Sequence, residues 1–215
     1  MKKFFVPVLI STACFLFVSC KSLPLIEQGQ PDKQHPYTFL KSKYQVTHSI
    51  KAELPNNNKA LLIGLTSIDP SLKSMHAVLM TVEGLVLFDV IYKDNIPRID
   101  RAVPPFDSPD FSGGLLDDLK LIFFTPDGKI IESGILKNIG YVERYRSDDG
   151  TTTDVIAVKK GIAKINKYDY RNTLTRTAKI ISATSEGVPR EIELIAHGFL
   201  GYSLYLELIN AERIK

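Results

Sequence analysis

Apolar and polar positions alternate through most of the chain. Residues 44–54 (YQVTHSIKAEL) put Val46, His48, Ile50 and Ala52 on one face, the period-two pattern of a half-buried strand. PNNN at 55–58 marks a turn, and 59–68 (KALLIGLTSI) reads as the next strand. Residues 75–82 and 85–92 flank Glu83-Gly84, which predicts a tight hairpin, and Asp94-Asn95 reverses the chain into 96–103. Together these segments predict an antiparallel meander. Within it, AVLMTVEGLVLF (77–88) is apolar on both faces. A half-wet sheet alternates more cleanly, so this hairpin is expected either to be covered on both sides or to carry an exposed apolar tip.

The period then changes. In FDSPDFSGGLLDDLKLIFFTPDG (106–128), Ser108 suits an N-cap and Pro109 the first helical position. Ser112 offers an alternative start, because Gly113 and Gly114 weaken the first turn. Leu115, Leu116, Leu119, Ile122 and Phe123 form one apolar stripe at helical spacing, with Asp117, Asp118 and Lys120 on the other side. Pro126 and Gly128 end the helix, and 129–138 is ambiguous.

Strand signals return in the last third. Asp149-Gly150 sits between 140–147 and 152–160 as a hairpin turn, and 173–184, 189–197 and 201–210 follow. In GYSLYLELIN (201–210), Tyr202, Leu204, Leu206 and Leu208 share a face. The sum is nine or ten strands and one or two covering helices: an α+β chain whose mainly antiparallel sheet curves as an incomplete barrel around or against a helix.

The N-terminus follows a different logic. Lys2 and Lys3 precede an apolar run from Phe4 to Val18 that is too short to cross a bilayer. It ends on Ser19-Cys20-Lys21, so residues 1–19 read as a secretory signal with a small-residue cleavage site. Phe17-Val18-Ser19-Cys20 resembles the lipobox of bacterial lipoproteins, with Phe17 where leucine is usual. That resemblance implies that Cys20 is acylated and becomes the first residue. Several acyl chains anchor a protein stably where one does not. Of two cysteines, Cys14 falls in the removed segment, so Cys20 has no partner for an intrachain disulfide. By the sorting rule of many Gram-negative lipoproteins, Lys21 favours the outer membrane, facing the periplasm. Residues 20–36, with three prolines, read as the lipidated cysteine and a flexible tether, and 37–215 as the folded domain.

Composition narrows the chemistry. The 27 basic residues less Lys2 and Lys3 leave 25 against 24 acidic ones, which argues against a nucleic-acid partner. His35, His48, His76 and His197 show no metal-ligand spacing, and no G-x-S-x-G, P-loop or dinucleotide fingerprint occurs. The chain therefore reads as a non-enzyme with no cofactor or metal. Asp118 is expected to be held by a nearby strand or loop. Lys159, Lys160, Lys164 and Lys167 read as an exposed strand edge.

GGLLDDLKLIFFTP (113–126) and GYSLYLEL (201–208), supported by VLFDV (86–90), resemble segments of the LolA/LolB superfamily and of a group of bacterial outer-membrane lipoproteins with a LolB-like half-barrel. The resemblance implies an apolar interior that takes a hydrophobic or acylated ligand, a lipid or an acylated protein. It makes Leu115, Leu119, Ile122, Phe123, Phe88, Tyr202 and Leu204 the candidate ligand-binding residues. By analogy with the protruding loop of the receptor branch, Leu85 at the hairpin tip is a candidate membrane contact. The alternative is a ligand-free envelope scaffold that binds a protein.

Overall fold

A computed structural model describes residues 22–28, 36–54, 58–198 and 201–214. The expected signal, Cys20 and His35 lie outside these residues. Twelve strands follow in chain order: β1 (Tyr44–Leu54), β2 (Asn58–Asp69), β3 (Ser74–Thr81), β4 (Val86–Lys93), β5 (Ile96–Ala102), β6 (Lys129–Leu136), β7 (Gly140–Arg146), β8 (Thr152–Lys159), β9 (Ile162–Tyr168), β10 (Leu174–Ala183), β11 (Pro189–Ala196) and β12 (Tyr202–Arg213). The one helix among the described residues, α1 (Pro109–Phe123), connects β5 to β6. The strands form a single sheet in the order β5-β4-β3-β2-β1-β12-β11-β10-β9-β8-β7-β6. Every neighbouring pair is antiparallel.

This is the expected open antiparallel sheet with a covering helix, made of more strands than the sequence pattern marks. The ambiguous segment after the helix is β6, and β9 lies in the lysine-bearing stretch. That stretch is corrected: β8 and β9 are interior strands, each paired on both sides, so these lysines do not guard an edge. Lys159 and Lys160 stand at the β8–β9 turn, and Lys167 reaches inward to the helix.

Register explains the core. Ile50 of β1 stands opposite Leu62 and Leu206, Leu206 opposite Ile192, Ile192 opposite Ile180, and Ile180 opposite Ala163. One apolar row thus crosses six strands on the inner face, where it meets Leu116, Leu121, Ile122, Phe123 and Phe124. Burial of such rows drives closure of the sheet onto the helix.

The sheet's free edges are handled differently. Every residue of β5 but Ala102 is exposed, and Pro97, Arg98, Asp100 and Arg101 discourage edge pairing. The far side of β6 is paired instead. Glu27 exchanges two backbone hydrogen bonds with Ile135, both 2.9 Å. Ile26 is buried with Leu136, Val142 and Ile156. Residues 22–28, expected as part of the tether, are therefore seated on the sheet. Apolar contact and paired backbone groups outweigh the proline-rich composition there.

Candidate functional site

The helix begins as its residues dictate. Ser108 caps it, accepting from the Phe111 N–H at 3.4 Å, and Pro109 takes the first turn. Its stripe is then presented to the inner face of the sheet. Between α1 and β1–β4 with β12 lies an open-mouthed apolar cavity of about 210 Å³. An apolar cavity of about 150 Å³ already stays dry and takes a benzene-sized guest.

All seven residues singled out for ligand contact line this one space: Leu115, Leu119, Ile122 and Phe123 from the helix, Phe88 from β4, and Tyr202 and Leu204 from β12. Fully buried His48, Thr66, Phe88, Ile122 and Phe123 make its deep end. Half-buried Leu54, Ala60, Phe106, Phe111 and Leu115 make its rim. Small residues keep the sheet wall low: Ala52, Ala60, Gly64 and Ala77. A Cβ on Gly64 would stand 2.8 Å from Ile50 Cδ1. Phe106 of the loop before the helix and Phe111 of its first turn were not marked by the sequence pattern, because nothing local shows that this segment folds back over a sheet.

Leu85 stands at the β3–β4 tip and is 54% exposed, as Val82 is at 53%. Gly84 takes φ +90° in this turn, and its N–H donates to the Thr81 carbonyl. Leu62 pairs with Thr81, so the tip projects beside the Ala60 part of the rim. The exposed-tip alternative for this hairpin therefore holds. Among the described residues nothing is seen to cover the outer face of β2 and β3, where Leu61, Ile63, Leu65, Val78 and Met80 are exposed or half-buried.

The polar side chains at the cavity are few: His48, Thr66, Asp118 and Tyr202. Asp118 is buried and held by neighbouring strands, as its expected tie to a nearby strand or loop requires. It accepts from Arg176 Nε of β10 at 2.8 Å and from the Tyr202 hydroxyl. Asp117 beside it accepts from Lys167 Nζ at 2.9 Å. Burial pushes the Asp118 carboxyl up to about 6, against the lowering influence of Arg176 and Tyr202. Burial and the Asp118 carboxylate raise the Tyr202 hydroxyl, keeping it a donor. Gly114 faces this cluster, where a Cβ would come 3.1 Å from Arg176 Nη2. Arg176 has no sequence signature: it is an isolated arginine 58 residues from its partner.

His48 is a wall residue. Its Nε2 faces the Pro189 carbonyl at 3.4 Å, and burial pushes its pKa down to about 4, so the ring is neutral near pH 7. His76 pairs with Asp89 and His197 with Thr177, each away from His48. Among the described residues no three His, Cys, Asp or Glu side chains converge to hold a metal ion.

No protein-family profile matches the sequence, and no curated protein matches it. Among solved structures, the chain is similar to the crystal structure of the LolA superfamily protein NE2245 from Nitrosomonas europaea. The two share 11% identity and a TM-score of 0.49, over 82% of this chain and 88% of that one. At those values the likeness decides nothing about ligand or partner.

Proposed function

We propose that this protein is an acyl-anchored lipoprotein of the bacterial envelope, held through Cys20 on the outer membrane and facing the periplasm, that binds one hydrophobic or acylated ligand in the cavity beneath α1. The observation that supports this is the cavity itself. Its wall is overwhelmingly apolar, and among its few polar side chains His48, Asp118 and Tyr202 are engaged with backbone, with Arg176 or with one another. An acyl chain needs a surface of that kind, non-directional and dry, and gains about 0.8 kcal/mol for each buried CH₂. No step in this role requires a nucleophile, a metal or a proton transfer. Exposed Leu85 and Val82 extend the apolar rim outward, where they would touch the surface that gives or receives the ligand.

The mature chain should bind a fluorescent fatty acid such as cis-parinaric acid, and Ala77→Phe, which fills the cavity from its sheet wall, should weaken that binding at least tenfold. Failure of the unmodified protein to bind, together with lipid-free protein from native membranes, would sink this reading. The uncovered apolar outer face of β2 and β3 supports the scaffold reading instead; it predicts a protein that co-elutes with the native material and no bound lipid.

A further inference from the structure

The chain touches the sheet before it reaches β1. Pro24 offers its carbonyl to Arg144 Nη2 at 2.8 Å, Ile26 is buried, and Glu27 completes the free side of β6. The seat is firm. Arg144 also donates to Asp154 at 2.7 and 2.9 Å and to Glu132 at 2.8 Å, and Asp154 has no exposed surface. Gly134 is what permits the approach: a Cβ there would stand 2.4 Å from the Glu27 carbonyl oxygen and 2.8 Å from Ile26 Cγ2. Tyr145 and Val155 face the inner core, so their neighbours Arg144 and Asp154 lie on the outer face. The seat is thus on the opposite face of the sheet from the cavity. It also lies toward the opposite end of the strand order from β1–β4.

Cys20 precedes Ser22 by two residues. An extended chain advances at most about 3.6 Å per residue, so the two Cα atoms stay within roughly 7 Å. Released from the seat, the sixteen steps from Cys20 to Pro36 would reach as far as about 55 Å. We propose that residues 22–28 orient the protein on a lipid bilayer: they hold the acylated Cys20 against the outer face of β6–β8, so that this face, and not the cavity rim, meets the membrane that carries the anchor. The inference rests on the reading of Cys20 as acylated. The surface suits that occupant. Leu25 is 81% exposed, and Ile131 of β6 and Val158 of β8 are about half exposed. Leu25 and Val158 lie toward the strand ends that carry exposed Lys137, Lys159 and Lys160, and apolar side chains set among lysines match an anionic headgroup region. The rim, with Leu85, then addresses a different surface from the one that holds the anchor.

The test uses the mature protein in vesicles of phosphatidylethanolamine and phosphatidylglycerol with brominated acyl chains, after intact mass has established whether Cys20 is acylated. Acylated Cys20 leaves no free thiol, so Val158→Cys and Leu85→Cys each accept one environment-sensitive fluorophore. The label at 158 should be quenched several-fold more than the label at 85. Gly134→Ala, which displaces the segment without touching the inner core, should erase that difference and raise amide exchange at Ile135 at least tenfold. If that variant fails to fold, Ile26→Asp should have the same two effects. Equal quenching, or greater quenching at 85, in acylated protein overturns the orientation alone. An unacylated Cys20 overturns the anchor and the orientation together.

Discussion

The two flanks of α1 meet the same sheet in different ways. Toward β8–β11 the helix faces a closely packed apolar layer: Val155, Ala163, Ile165, Ala178, Ile180, Ile192 and Leu194 are all essentially inaccessible. Toward β1–β4 and β12 the same helix spans the apolar cavity. A second cleft of similar volume lies on the packed flank, and it is polar. Ion pairs tie it together, Lys167 with Asp117 and Asp127 with both Lys73 and Lys120. The difference shows how a helix keeps its place over an empty space. It is fixed by close packing and ion pairs along one side, with Asp118, Arg176 and Tyr202 as a buried rivet. The other side is then free of the duty to pack.

The comparison can be broken most directly by truncation. Ile180→Ala or Leu194→Ala on the packed flank should cost about 2–5 kcal/mol in denaturant unfolding, because each opens a new void. Leu119→Ala or Leu204→Ala on the cavity flank should cost about 1 kcal/mol or less, since those side chains already border space. Equal losses on the two flanks would mean that the cavity is not there in solution.

Titration sharpens the contrast between a buried wall histidine and the rivet. His48 titrates near 4 in the fold and 6.5 when unfolded. The unfolded chain binds the extra proton in that window, so His48 lowers stability by about 3 kcal/mol as pH falls from 6.5 to 4. Asp118 has the opposite sign. Its value is about 6 in the fold against 3.8 unfolded, so the native state binds the extra proton and stability falls as pH rises from 3.8 to 6, again by about 3 kcal/mol. The two slopes nearly cancel in the unmodified protein. Asp69, Asp127 and Asp149, all held below their usual values, add a common loss on acidification. Relative to the unmodified protein, His48→Phe should gain stability between pH 6.5 and 4.5, and Asp118→Asn should lose it. Profiles parallel to the parent's would remove both groups from the account.

The smallest effect belongs to the outermost pin. Lys167 and Asp117 are both partly exposed, so Lys167→Met should change unfolding free energy by no more than about 1 kcal/mol. A larger loss would mean that the helix depends on its ion pairs more than on Leu116 and Phe123.

What was legible in the sequence follows from how local each signal is. Period-two runs, Glu83-Gly84, Asp149-Gly150 and the Ser108-Pro109 start are written within a few residues, and the strands, hairpins and helix they imply are present. The helix stripe and the β12 strand face were legible as local patterns, whereas their assignment to one cavity wall came from the resemblance and not from the pattern. β9 was hidden by its lysines: Lys164 and Lys167 obscure the alternation of Ala163 and Ile165, and only pairing on both sides reveals an interior strand. The burial of Asp118 needed a partner from β10, and the seating of Ile26 and Glu27 needed β6, more than a hundred residues away. Neither partner can be inferred from composition near the residue concerned.

The position of β12 carries a last consequence, for the order in which the molecule can assemble. β1–β5 and β6–β11 are each built from neighbours in sequence, and only β12 joins them, pairing with β1 along one side and β11 along the other. Until residues 202–213 arrive, both meanders present a bare strand edge to any other chain, and α1 has only part of a surface to lie on. Completion closes a loop of nearly the whole domain, the kind of distant contact that makes β-sheet folding slow. β12 is therefore the seam, and the cavity wall it contributes through Tyr202 and Leu204 comes into being only when the two halves are stitched.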